Sequence, residues 1–264
     1  MNILFIGDIM GRSGRDAVFE LLPDIKNEYS IDYTIANGEN ASGGLGMNSR
    51  GYEELRRAGI DFFTMGNHTY SKKDVLRLFN EGENIVRPAN LPGDNPGEGM
   101  VIVNIPGGIK LAIINLIGRI YINDDNLSPF FTADELIKKA QEKTPNIIID
   151  FHAEATSEKE ALGYYLDGRV SAVLGTHTHI QTADERILPC KTAYITDVGR
   201  TGVRESVLGL DKDVSIARFV LPADEKKPPF NVAKGKSQIS AVVIKIDENT
   251  GKAEDIKRIC VLQK

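Results

Sequence analysis

The chain predicts an α/β fold of two mixed sheets flanked by helices, and three observations carry that expectation. Short apolar, β-branched runs alternate with amphipathic stretches of helical period. Two segments break this rhythm, each a pair of apolar runs joined by a turn-rich link, which adds antiparallel strands to parallel ones. The 264 residues suffice for a substantial core, and no internal repeat or convincing linker divides them. Residues 1–264 are therefore expected to form one domain.

In chain order, "NILFIG" (2–7) reads as a buried strand. Ala17, Val18, Leu21, Leu22 and Ile25 then recur at helical spacing, with Pro23 marking a kink or a late start. "DYTIANG" (32–38) and "DFFTMG" (61–66) are the next strands. Ser71 with Asp74 has capping-box spacing and predicts a helix start, as do Thr132 with Glu135 and Ser157 with Glu160. "MVIVNI-PGG-IKLAIINL" (100–116) predicts a hairpin turning at Pro106, Gly107 and Gly108. "NIIIDF" (146–151) and "SAVLG" (171–175) are again buried strands. The Pro- and Lys-rich segment 222–236 reads as a solvated loop, and residues 238–262 as a second hairpin.

Bulk composition narrows the functions. A formal net charge of −5 and a pI near 5.5 argue against a broad phosphate-backbone binder, so no long nucleic acid is expected as a partner. A small anionic ligand stays open if bound cations reverse the sign locally. Cys190 and Cys260 lack any C-x-x-C spacing and read as two thiols of a reducing compartment. The start "MNILFIGD" is a poor signal peptide, and no apolar run reaches the roughly 18 to 20 residues of a spanning helix. A cytoplasmic protein without a membrane partner is the expectation.

The chemistry lies at the strand ends. Asp8 follows "ILFIG", Glu39 and Asn40 follow "YTIANG", and Asn67 and His68 follow "FFTMG". His152 follows "IIIDF", and His177 and His179 follow "AVLG". All four histidines of the chain stand at such ends, where open α/β sheets gather their ligands. Each has a plain alternative: Asp8 and Asn67 as helix caps, Glu39–Asn40 as loop satisfiers, His152 as a buried neutral imidazole. One shared site explains all five ends together. Carboxylate, carboxamide and imidazole donors without thiolate suit manganese, iron, cobalt or zinc. "GDIMGRSG" (7–14) lacks the spacing of a nucleotide-cofactor loop, and "SGGLG" (42–46) reads as a tight loop around the site. Tyr121, Phe130 and Phe131 read as core packing in preference to base stacking.

In order and spacing, "GD" (7–8), "GEN" (38–40), "GNH" (66–68), "FH" (151–152) and "GTHTH" (175–179) resemble the motif set of calcineurin-like metallophosphoesterases. More closely, the chain resembles the bacterial YmdB-type branch of 2′,3′-cyclic nucleotide phosphodiesterases, with "GENASGGLG" (38–46), "RPAN" (87–90) and "TDVGRTG" (196–202). The resemblance implies a metallophosphoesterase-type αββα sandwich of two mixed sheets. It also implies two transition-metal ions per chain, iron or manganese first, with zinc and cobalt as alternatives. Asp8, Glu39 and His179 would hold one ion, and Glu39, Asn67, His152 and His177 the other. Asn40 would touch the first ion or the substrate phosphate, and His68 would bind the phosphate and protonate the leaving ribose oxygen.

Two departures favour the YmdB-type branch: Met10 stands where the broad superfamily has a histidine, and Glu39 where it commonly has aspartate. The ion at Asp8 and His179 is therefore expected to leave first on chelation. The implied reaction is hydrolysis of a 2′,3′-cyclic nucleotide by in-line attack of a metal-bridging hydroxide. A phosphomonoesterase or nuclease on the same site, or a regulatory signalling protein that keeps the metals, are the alternatives. A homo-oligomer is left open.

Overall fold

A computed structural model describes residues 1–222 and 224–264; Ala223 of the expected 222–236 loop lies outside the described residues. The chain begins with β1 (Asn2–Ile6), β2 (Asp8–Ile9), α1 (Gly11–Glu28), β3 (Tyr33–Asn37) and α2 (Ser49–Ala58). Next come β4 (Phe62–Thr64), α3 (Asp74–Asn80), β5 (Ile85–Val86), β6 (Met100–Ile105) and β7 (Ile109–Ile117). Then follow α4 (Pro129–Gln141), β8 (Ile147–His152), α5 (Thr156–Tyr165), β9 (Ala172–Thr176), β10 (Arg186–Ile187) and β11 (Ala193–Ile195). The chain closes with β12 (Arg200–Val203), α6 (Lys212–Val220), β13 (Ser237–Ile246) and β14 (Ala253–Leu262).

One sheet has the order β2-β12-β13-β1-β3-β4-β5, with β14 also paired to β13; the other runs β10-β11-β9-β8-β7-β6. Both are mixed. β1, β3, β4 and β5 run parallel beside the antiparallel β13–β14 hairpin, and β7, β8 and β9 run parallel beside the β6–β7 hairpin. Both hairpins fall where the turn residues place them, and the first turns through a short 3₁₀ segment at Pro106–Gly108.

Side-chain alternation builds four layers from these two sheets. Ile3 and Phe5 of β1 pack inward with Ile113, Ile148, Leu174 and Ile195 of the other sheet. Leu4 and Ile6 face the opposite way, onto Ala17, Val18, Leu22 and Ile25 of α1. Ile149 and Phe151 of β8 likewise turn outward, onto Ala133 and Ile137 of α4 and Leu162 of α5. Strands apolar on both faces therefore sit between helices, giving an αββα sandwich. A fully buried side chain of this size contributes about 1.5–3 kcal/mol, which is why these runs contain so few polar residues.

The expected helix starts are corrected. α4 begins at Pro129, so Thr132 lies inside it; α5 begins at Thr156, so Ser157 does too. Proline's fixed φ suits a first helical turn and opens α4 without a box. Asp74 opens α3, but Lys73 and not Ser71 is the cap residue, and the Asp74 carboxylate instead accepts from the backbone N–H of Ser49 at 3.3 Å. The helix α1 starts well before Pro23 and passes through it, on the solvent-facing side where the lost hydrogen bond matters least. Asp8 lies in β2 and caps no helix; α1 starts after Met10, without a side-chain cap. Cys190 and Cys260 are free and exposed. No helix among the described residues is long and apolar enough to cross a membrane.

Candidate metal centre

The carboxyl ends of the parallel strands in both sheets meet at one edge of the sandwich. Across the sheets, Asn37 Nδ2 at the end of β3 donates to Asp150 Oδ2 of β8 at 3.0 Å. Gly66, just past β4, lets the two sheets approach. A Cβ there would lie 2.4 Å from both Glu39 Oε2 and His152 Nε2.

His152 Nε2 is the meeting point of one group of side chains. Glu39 Oε1 lies 3.1 Å from it, Asn67 Oδ1 3.0 Å and His177 Nδ1 3.0 Å. Glu39, His152 and His177 each offer a ligand atom within 4.8 Å of the others. The opposite nitrogen of His152 is occupied: Nδ1 lies 2.9 Å from Thr176 Oγ1, whose hydroxyl donates to Asp150 Oδ1 at 2.6 Å. Because the Thr176 proton is used on Asp150, the hydroxyl accepts from Nδ1–H, and Nε2 of the neutral ring carries the lone pair into the site. His177 is oriented in the mirrored sense, with Nε2 3.2 Å from Glu154 Oε2 and Nδ1 turned inward.

A second group adjoins the first through Glu39. Asp8 is fully buried, and its Oδ1 has no hydrogen-bond partner among the described residues, while Oδ2 accepts from the His177 backbone N–H at 3.2 Å. His179 Nδ1 donates to the Leu208 carbonyl at 2.9 Å, so its Nε2 presents a lone pair 3.7 Å from Asp8 Oδ1. Asn40 Nδ2 bridges this group to the first, lying 3.2 Å from His179 Nε2 and 3.2 Å from Glu39 Oε1. Glu39 Oε2 accepts from the His68 backbone N–H at 2.9 Å.

Without a metal, protons do what charge balance requires. Burial opposes ionisation of Glu39, but the charge and hydrogen bond of His152 and the His68 amide hold its carboxyl down to about 2. Burial likewise opposes charge on His152, yet Glu39, Asp8 and Asp150 push it up to about 9. His177 falls to about 3, from burial and from the neighbouring His152 charge. Burial raises Asp8, against the pull of His179 and His152.

The loop carrying the paired histidines is strained and buttressed. His177 and His179 have φ of 96° and 65°, the left-handed region that non-glycine residues avoid at a cost of about 1–3 kcal/mol. Asp197 holds it: Oδ2 accepts from the Thr178 N–H at 3.0 Å and its hydroxyl at 2.7 Å. Lys159 Nζ, itself buried, donates to Asp197 Oδ2 and to the Thr176 carbonyl, both at 2.8 Å. Sequence reasoning missed Asp150, Glu154, Lys159, Thr176 and Asp197. Thr176 and Asp197 lie inside the motifs "GTHTH" and "TDVGRTG" without a role being read for them, and Asp150 is a carboxylate in an otherwise apolar strand.

The structure thus brings Asp8, Glu39, Asn40, Asn67, His152, His177 and His179 into one connected cluster. His68 stands at its rim, where Asn67 Nδ2 lies 3.3 Å from its Nε2. Met10 lies outside the cluster. Its side chain is buried against the backbone of Gly202 and Gly209, and an added Cβ on Gly209 would meet its Cγ at 2.8 Å. A cavity of about 500 Å³ opens above Glu39, Asn40, His68, His177 and His179. Phe130 packs edge-on to Tyr165 at 5.3 Å, as expected of a packing residue, whereas Tyr121 and Phe131 are exposed; none of the three lines the cavity.

The model of the family described as YmdB-like protein matches residues 4–259. A Bacillus subtilis (strain 168) protein named 2′,3′-cyclic-nucleotide 2′-phosphodiesterase is 52% identical over 263 residues, covering 99% of this chain and 97% of that protein. A crystal structure of a hypothetical protein from Thermus thermophilus superposes with a TM-score of 0.91 at 42% identity, over 100% of both chains. That of a novel phosphatase from Mycoplasma pneumoniae also gives 0.91, at 36% identity, over 99% of this chain and 93% of the other. By sequence and by architecture, the chain belongs to the YmdB-like family of phosphodiesterases.

Proposed function

We propose that residues 1–264 form a single metallophosphoesterase-type domain that hydrolyses 2′,3′-cyclic nucleotides with two bound metal ions. One observation carries the metal reading: Glu39 Oε1, Asn67 Oδ1 and His177 Nδ1 all lie within 3.1 Å of His152 Nε2. These are acceptors, and a single proton at their centre can bond only one of them well. A cation satisfies all of them. The orphaned Asp8 Oδ1 facing the lone pair of His179 asks for a second positive charge in the same way. The donor set is oxygen and nitrogen throughout, which suits manganese, iron, cobalt or zinc.

In this reading His152, His177, Asn67 and Glu39 would hold one ion, Asp8, His179 and Glu39 would hold the other, and Asn40 would support the second ion or the phosphate. When bound, such ions lower the pKa of a nucleophilic water and neutralise the phosphoryl oxygens. The chain's own groups do the rest. Thr176 and the Leu208 carbonyl orient His152 and His179, Asp197 braces the strained loop, and Asn40 offers a donor toward the phosphate. As water attacks phosphorus and the bond to O2′ breaks, the His68 imidazolium would give a proton to the leaving oxygen and end as neutral imidazole, while the attacking water loses a proton to solvent, producing a 3′-phosphate. The name of the Bacillus subtilis relative supports this choice of bond.

Metal analysis of the purified protein, with turnover of 2′,3′-cyclic AMP, 3′,5′-cyclic AMP and nitrophenyl phosphate, tests the proposal. Close to two ions per chain and preferential turnover of the 2′,3′-cyclic ester are expected. Hydrolysis of the monoester alone would make the protein a phosphomonoesterase instead.

A further inference from the structure

The cavity above the centre has two unlike walls. One is the polar cluster; the other is made of Leu45, Leu208, Leu210, Phe230 and Val232. Three of these stand out as large apolar side chains left exposed, with Leu45 at 47%, Leu208 at 41% and Phe230 at 56%. Apolar groups gathered beside a charged site are a feature of pockets that take a ligand with one polar and one apolar end.

This wall is built, not incidental. Leu210 and Val232 form an isolated antiparallel bridge, Asp211 N–H donates to the Asn231 carbonyl at 2.9 Å, and Ala233 N–H to the Gly209 carbonyl at 2.9 Å. These bonds tie the segment carrying Phe230 to the one carrying Leu208. The Leu208 carbonyl is also the acceptor that orients His179, so the wall is keyed to the centre. Leu208 has φ of 54°, a further strained residue beside the site. Arg218 fixes the Phe230 ring: its guanidinium carbon lies 3.9 Å from the ring centroid, and its Nη1 donates to the Pro228 carbonyl at 2.6 Å. A guanidinium over one face rigidifies the ring and leaves the other for a ligand.

We propose that Phe230, flanked by Leu45 and Leu208, is the nucleobase platform of this enzyme, stacking the base of the substrate whose cyclic phosphate sits at the metal centre. This rests on the reading of the substrate as a cyclic nucleotide. Every base has a π-face, so the platform accepts all four, and the larger purines gain most.

The test compares kcat/KM for 2′,3′-cyclic AMP with that for ethylene phosphate, which has the same five-membered cyclic ester and no base. Phe230→Ala should lower the ratio of the two by about 10- to 100-fold, chiefly through KM for the nucleotide. Phe230→Tyr should restore the ratio, whereas Phe230→Leu, which keeps apolar bulk without a π-face, should restore it only in part. An unchanged ratio in Phe230→Ala overturns the platform. Equal turnover of both substrates by the wild-type enzyme also overturns it, and leaves the cyclic phosphodiesterase reading standing. Turnover of neither by the metal-loaded protein overturns both.

Discussion

His152 Nδ1 lies 2.9 Å from the hydroxyl of Thr176, and that single contact selects which nitrogen of the ring faces the centre. Thr176 is locked in turn by Asp150, a fully buried carboxylate that also accepts from Asn37 and Thr64. Burial pushes Asp150 up to about 6 against the charge of His152 and these hydrogen bonds, so it remains ionised at neutral pH. Thr176→Val keeps the shape and removes the acceptor. It should weaken metal binding about 10- to 100-fold, the usual cost of losing a group that orients a ligand. Titration against a competing chelator measures this; unaltered affinity would mean that the tautomer is set elsewhere.

Gly66 makes a second prediction that touches no ligand. Its missing side chain is the space in which Glu39 and His152 meet. Gly66→Ala should cost roughly 1–3 kcal/mol of stability from overpacking and release metal from both positions. Urea unfolding and metal analysis on one preparation check both parts. Full metal content in the variant would show that the two side chains have other room.

Protonation gives a third. In the metal-free protein the raised His152 value, about 9 against an ordinary 6.5, means that the ring is charged at pH 7.5. A metal ligand must be neutral, so loading at that pH should release about one proton from this ring. Release should fade as pH passes 9. The stability contributed by the charged His152 ring is complete below pH 6.5 and is lost as pH rises through about 9. Calorimetry in two buffers of different ionisation enthalpy counts the proton, and none at pH 7.5 would contradict the assignment.

Which of these residues a sequence discloses depends on whether the cue is local. Asp8, Glu39, Asn67, His152 and His177 each stand at or just after an apolar run that spells out its strand, so their convergence at one edge was legible. Thr176 and Asp197 were not, because their partners come from other strands and from α5, and periodicity gives a face but not a neighbour. The capping-box spacing misled at Thr132 and Ser157, since polar residues three apart recur inside helices as well. Strands of two to four residues such as β2, β5, β10 and β12 carry no pattern long enough to read. Phe230 sat in a loop whose prolines and lysines indicated solvent, and only the bonds to residues 209–211 show that it lines the cavity.

His68 separates catalysis from metal binding. His68→Ala should leave both ions in place, because Asn67 and not His68 faces the cluster with its oxygen. It should lower kcat on a substrate with a ribose leaving group by roughly 10²–10⁴, as expected for a lost general acid. With a nitrophenolate leaving group the loss should be much smaller. Equal losses on both substrates would instead assign His68 to holding the phosphate.

Glu39 is proposed to join the two metal positions into one reacting centre, and Glu39→Gln probes that role. Metal content and turnover of 2′,3′-cyclic AMP are measured on the same preparation of this variant. Fewer than two ions per chain are expected, with turnover reduced by at least about a thousandfold, a loss of roughly 4 kcal/mol of transition-state stabilisation. A Glu39→Gln protein that retains both ions and near-normal turnover would contradict it.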